Sequence, residues 1–201
     1  MKKLLCLSIL ILTAFSCTSN MFDSKTEMLA FLGAEENGFK QSKSINGVDF
    51  TLMYRPTDLM VHQDWKQSKD LTIIPELRKK YEDYIYINLS ISRNKKDILS
   101  THIGGKNEYG QMVNTMSFSV GNSIHLIGQQ SKDTLSTEDF ISPRLYGLNK
   151  ASSVLLIYPR TNLIDREEEL VLSIEDFGLN TGNVKFKIPS SIIKDQPTLS
   201  F

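Results

Sequence analysis

The chain has 201 residues and little of the chemistry that marks most enzymes: two cysteines, three histidines and one tryptophan. Its cysteines, Cys6 and Cys17, both fall in the first seventeen positions. A cysteine-free remainder excludes a disulfide framework, a Cys nucleophile and any thiolate zinc site. No charge of one sign predominates, since 23 basic residues face 23 acidic ones. The surplus of Lys and Arg that drives nucleic-acid binding is therefore missing. Apolar runs are short as well, and none approaches the ~20 residues of a membrane-spanning helix. What remains is ordinary: 40% hydrophobic and 23% charged residues. This fits neither wholesale disorder nor a multispan membrane protein. A chain of this length makes about one domain and can remove roughly 70% of its unfolded surface from water.

The first seventeen residues carry an address. Met1-Lys2-Lys3 is cationic, Leu4 to Leu12 is apolar apart from Cys6 and Ser8, and Thr13-Ala14-Phe15-Ser16-Cys17 supplies small residues and a cysteine. That order is the layout of a secretory signal peptide, covering residues 1–16. The segment resembles the lipobox of bacterial lipoproteins, in which the cysteine takes a thioether-linked diacylglycerol and becomes the mature N-terminus. Ser16 suits that pattern; Ala14 and the bulky Phe15 depart from it. The alternative is cleavage after an A-x-S site formed by Ala14-Phe15-Ser16, which leaves a free thiol in an oxidising compartment. Lipid attachment at Cys17 is the expectation, because several acyl chains at about 0.8 kcal/mol per buried CH₂ anchor almost irreversibly. Loss of Lys2 and Lys3 leaves 21 basic against 23 acidic residues, a net charge of −2. Thr18 to Asp23 then forms a short polar tether.

Residues 24–201 are expected to form one mainly β domain with a few short inserted helices. Ser24-Lys25-Thr26-Glu27 has the form of a capping box ahead of Met28, Leu29, Phe31 and Leu32. Asn46-Gly47, between Phe39–Ile45 and Val48–Tyr54, is the dipeptide that most favours a type I′ hairpin turn. Short helices are expected to start at Pro56-Thr57-Asp58, carrying Leu59, Val61 and Trp65, and at Pro75, where Glu76 is placed to pair with Lys80. Ile85, Ile87, Leu89 and Ile91 alternate with Tyr84, Tyr86, Asn88, Ser90 and Ser92, a strand with one apolar face. Tyr109, Met112, Val113 and Met116 have helical spacing. Phe118–Val120 and Ile124–Ile127 suggest a hairpin around Gly121-Asn122, Val154–Tyr158 an inner strand, and the alternations at 170–175 and 184–188 two more. Seven or eight such strands suggest an antiparallel, immunoglobulin-like β-sandwich without the Cys…Trp…Cys pattern of true immunoglobulin domains.

Glu36-Asn37-Gly38, Asn46-Gly47-Val48-Asp49-Phe50, Tyr54-Arg55-Pro56-Thr57-Asp58-Leu59-Met60, Tyr109-Gly110-Gln111-Met112-Val113-Asn114 and Pro143-Arg144-Leu145-Tyr146-Gly147 together resemble a group of small Bacteroidota lipoproteins. The resemblance implies an envelope location and a fold and supplies no catalytic residue. Surface-exported lipoproteins of that kind carry acids just after the cysteine. Thr18 to Asp23 has one, which points to an outer-membrane anchor facing the periplasm.

Candidate chemistry is sparse. His62, His102 and His125 have no i+4 partner histidine and no H-E-x-x-H, and no G-x-S-x-G nucleophile elbow occurs. Gly104-Gly105-Lys106 lacks the earlier glycine of a phosphate loop, and Asp165-Arg166-Glu167-Glu168-Glu169 lacks the spacing of a calcium loop and reads as a solvated turn. Arg55 and Asp58 are placed to pair or to cap the helix after Pro56. Tyr84, Tyr86, Tyr109, Arg144 and Tyr146 are the candidate binding surface, because exposed tyrosine and arginine anchor interfaces and stack on sugars. The opposing expectation is that inserted helices cover those rings. The sequence thus predicts a lipid-anchored, non-catalytic module without metal or cofactor that binds an envelope protein. A glycan- or small-ligand-binding module is the alternative, and an undetected hydrolase the third.

Overall fold

A computed structural model describes residues 20–101, 105–143 and 150–201. It is mainly β, with antiparallel sheets and several short helices. The chain runs β1 (Met21–Phe22), α1 (Lys25–Gly33), β2 (Lys40–Ile45), β3 (Val48–Arg55), α2 (Thr57–Ser68), α3 (Ile74–Glu82) and β4 (Tyr84–Arg93). There follow β5 (Lys96–Asp97), α4 (Lys106–Asn114), β6 (Ile124–Gly128), β7 (Thr134–Ser136), β8 (Asp139–Ile141) and β9 (Ser152–Pro159). The last elements are α5 (Leu163–Arg166), β10 (Glu169–Ile174), β11 (Val184–Pro189), α6 (Ser191–Lys194) and β12 (Thr198–Leu199).

One sheet orders its strands β2-β3-β4-β9-β8 with β5 beside β4; a second orders them β11-β10-β6-β7. Alternation builds both. Val48, Phe50, Leu52 and Tyr54 of β3 are buried, as are Ile85, Ile87, Leu89 and Ile91 of β4, and their neighbours in sequence point away. Leu170, Leu172 and Ile174 of β10 meet Val184, Phe186 and Ile188 of β11 in register. These side chains form one contiguous core drawn from both sheets, and the buried Tyr158 of β9 donates its hydroxyl to the Ile124 carbonyl of β6 across it.

The β2–β3 turn is as the sequence predicts: Ile45 pairs Val48, and Asn46 (φ 52°) and Gly47 (φ 75°) take the two left-handed positions of a type I′ turn. At one margin the chain itself passes from one sheet to the other between Ser136 and Asp139, braced by Thr137 Oγ1 donating to the Gly121 carbonyl. At the other margin β2 and β11 are not paired. Instead Gln41 Nε2 donates to the Lys187 carbonyl at 2.6 Å, and Lys43 Nζ to that of Lys185.

Several expectations are corrected. The hairpin around Gly121-Asn122 does not form: Phe118 falls in a π-helical turn (Thr115–Ser119), Val120–Ser123 is a 3₁₀ turn, and only Ile124–Gly128 is strand. Continuation of α4 through Met116 and Val120, both buried, consumes the first arm. The acidic run is not wholly solvated. Glu167 is buried, and its carboxylate accepts from the backbone N–H groups of Gln130 and Ser131 at 2.8 Å each, which bind it below the usual carboxylate range. Lys80 bonds Asp64 at 2.9 Å rather than Glu76. Asp58 pairs with Arg78, not Arg55, which reaches Gln63 instead. The expected tether is also shorter, because Met21–Phe22 already pairs in parallel with Thr198–Leu199.

Candidate functional site

Strands β3, β4, β10 and β11 give the two-sheet body two ends. At one end lie β1, β12, α1, α2 and α3; at the other lie the β10–β11 loop, β5 and α4. The second end holds a cleft of about 590 Å³. Its floor is apolar (Ile98, Met112, Phe177, Leu179) and its rim polar (Arg93, Glu108, Gln111, Asn114, Thr115, Asn180). That mixture, at that size, is what a small-ligand site requires: burial from the floor and orientation from a few hydrogen-bonding groups.

The wall formed by residues 177–180 is held rigidly by one side chain. Asp176 Oδ1 accepts from the backbone N–H groups of Gly178, Leu179 and Asn180 at 3.0, 2.8 and 3.2 Å. Its Oδ2 accepts from Thr181 and Gly182 at 2.9 Å each. Five donors on one carboxylate need a tightly curled backbone, which Gly178 (φ 104°), Asn180 (φ 60°) and Gly182 (φ 63°) supply. Two further bonds fix the loop to the first sheet: Arg93 Nη2 to the Leu179 carbonyl at 3.1 Å and Asn46 Nδ2 to the Asn180 carbonyl at 2.7 Å. The opposite wall is α4, capped by Glu108 Oε2 accepting from the Gly105 N–H at 3.0 Å. Met112 is buried beneath it, while Gln111 and Asn114 are exposed at the rim.

Desolvation works to raise the Asp176 carboxyl, but the N–H groups of Gly182, Leu179, Gly178 and Thr181 outweigh it and leave the group below the ordinary Asp range. The stability it contributes is therefore present above the unfolded value near 3.8 and lost as pH falls through the lower folded value. Asp176→Asn is expected to flatten the acid limb of a urea-midpoint profile. An unchanged limb would mean that the loop does not depend on this charge.

The sequence-predicted residues scatter. Tyr86 is buried at 3% exposure, covered by α2 and α3 with the Tyr81 ring 6.1 Å away, so it offers no binding surface. Tyr84 lies 6.4 Å from Tyr86 at the end remote from the cleft. Tyr109, on α4 beside the cleft, is 47% exposed. Cys17, His102, Arg144 and Tyr146 lie outside the described residues. His62 packs on Trp65 at 5.5 Å, whereas His125 is on β6 with Nε2 3.6 Å from Glu175, so these two do not meet. No group of three or more potential metal ligands occurs among the described residues. No helix among the described residues is long and apolar enough to cross a membrane. Sequence reasoning missed the cleft. Its one local signal was Asp176 ahead of Gly178, Asn180 and Gly182, a pattern that favours a carboxylate-bound turn.

No protein-family model matches the chain. No curated protein matches it either. Among solved structures it is similar to a DUF4426 family protein from Pseudomonas aeruginosa, at 12% identity and a TM-score of 0.38, over 76% of this chain and 97% of that one. It is also similar to a protein of unknown function from Burkholderia pseudomallei, at 11% identity and a TM-score of 0.38, over 85% and 89% of the two chains.

Proposed function

We propose that the chain is a lipid-anchored protein of the cell envelope, tied to the outer membrane through acylated Cys17, whose domain binds a ligand without transforming it. In this reading the two sheets are the faces of an immunoglobulin-like sandwich and the cleft at one end is the binding site. The cleft is the observation that carries the reading. The side chains of Gln111, Asn114 and Thr115 at its rim have no hydrogen-bond partner among the described residues, and Phe177 offers a ring beside them. Amides, a hydroxyl and an aromatic ring, with Arg93 and Glu108 balancing in charge, suit a neutral, hydroxyl-rich ligand such as a wall saccharide fragment. The one carboxylate among the described lining residues is engaged in capping α4, which supports binding over acid–base chemistry.

Saccharide fragments screened by thermal shift test this. A ligand at 100 times its Kd is expected to add about 2.7 kcal/mol to the folded state. Gln111→Ala and Asn114→Ala should each reduce the shift while leaving the ligand-free Tm within about 1 °C, as exposed substitutions do. A library that shifts nothing would sink the saccharide reading. A second reading, docking of an envelope protein, is favoured by Tyr109 and Phe118, which are 47% and 68% exposed on α4 and the turn after it. It predicts instead a specific crosslinked partner whose capture Phe118→Ser weakens.

A further inference from the structure

The end of the body opposite the cleft gathers Met21 of β1, α1, α2 and β12. The pairing of β1 with β12 is extended by the Thr198 N–H donating to the Asn20 carbonyl and the Ser200 N–H to that of Phe22. Folded structure thus starts by Asn20. Four peptide units separate Cys17 from Met21, and fully extended they reach at most about 14 Å. An acylated Cys17 would therefore hold this end within that distance of the lipid, too close for the body to hang freely or turn over.

The surface there suits such a position. Met21 and Leu29 are 61% and 37% exposed, and Leu71, between α2 and α3, is 55% exposed. Trp65, Phe201 and His62 form a half-buried aromatic group with Trp65 5.5 Å from each of the other two. Burial and the positive charges of Lys25 and Lys66 hold His62 below its usual range, so both lysines stand near that group. Aromatic rings, isolated apolar side chains and lysines are what a bilayer interface accepts. Asp23 and Glu27 share this end, so tether length and exposed apolar groups carry the argument rather than net charge.

We infer that the β1–α1–α2–β12 end rests on the headgroup region of the bilayer, and that the cleft opens on the side away from the membrane. This rests on the lipid attachment proposed above. β4 spans the distance between the two ends: Tyr84 begins it beside α3 and Arg93 closes it at the cleft. Its nine residue steps at ~3.3 Å place the cleft about 30 Å beyond the anchored end. The ligand is then one that lies off the membrane surface, not a lipid headgroup of the same leaflet.

Trp65 is the only tryptophan in the chain, which makes the test direct. The full-length lipidated protein is incorporated into vesicles of phosphatidylethanolamine and phosphatidylglycerol carrying brominated acyl chains, and co-flotation and fluorescence are read together. Expected are co-flotation, severalfold stronger quenching of Trp65 than of the indole in Trp65→Phe/Phe177→Trp, and stronger quenching of Trp65 by bromine near the carbonyls than near the chain ends. Co-flotation with Trp65 unquenched, or with both indoles quenched alike, overturns the orientation and leaves the anchor standing. Trp65 quenching that does not depend on bromine depth also overturns it, and needs no variant to fold. Failure to co-float overturns the anchor and the orientation with it.

Discussion

Asp58→Ala is expected to destabilise the protein by about 3 kcal/mol, with α2, α3 and the β12 segment coming apart together. The Asp58 carboxylate is buried and binds three groups. Arg78 donates Nε to Oδ1 at 2.9 Å and Nη2 to Oδ2 at 2.7 Å, and the Leu199 backbone N–H donates to Oδ2 at 2.7 Å. Arg78 Nη2 also reaches the Leu199 carbonyl at 3.0 Å, and its guanidinium lies over the Phe201 ring. One carboxylate thus ties residues from three separate elements. Alanine leaves the buried Leu199 N–H without an acceptor, and it strands a cation that remains about half hydrated (44% exposed), which places the effect near the lower end for a broken buried pair. Urea unfolding of the single variants and of Asp58→Ala/Arg78→Ala checks this: the double variant should cost clearly less than the sum. Additivity would mean that the pair does not act as a unit. Increased hydrogen exchange at Leu199 should accompany the loss.

Phe186→Ala is expected to be the costlier change, about 3–5 kcal/mol. Phe186 is fully buried on β11, opposite Leu172, and its strand has a paired neighbour on one side only. The cavity left by the ring lies between the two sheets, where both backbones are held by their ladders and neither can collapse into the space. Lys43 Nζ stands 5.3 Å from the ring centroid and loses that contact too. Chemical denaturation would measure the cost. A loss below about 1 kcal/mol, the range of a surface change, would show that this face of β11 is not the core.

What could be read from the sequence was whatever its own neighbours decide. Asn46-Gly47 forms its turn because both residues tolerate left-handed backbone, and β4 shows its apolar face because the strand alternates over its whole length. Tyr86 is covered by α2 and α3, as the expectation of inserted helices over the rings has it, but which tyrosine they cover is set by contacts that no local pattern encodes. Glu167 was misjudged for the same reason: its partners Gln130 and Ser131 lie more than thirty positions upstream. Asp58 has a nearby cation in Arg55, yet bonds Arg78, twenty positions away on the next helix. Of the cleft only the Asp176 turn in its wall had a local signal, since Arg93, Gln111 and Phe177 become neighbours only when the two sheets close on one core.

The bridge from Gln41 and Lys43 to the carbonyls of Lys187 and Lys185 gives the body a seam as well as an edge. Where the chain crosses between sheets at 136–139, separation would require stretching the backbone; at the seam it requires Gln41 and Lys43 to swing into water and the Asn46–Asn180 bond to open, with no backbone to stretch. Breathing of the domain is therefore directed to one side, and the strands that unzip first are β2 and β11. Those long side chains also occupy acceptors that a neighbouring molecule would otherwise use to extend the sheet. Crowding many copies together is then compatible with each staying separate.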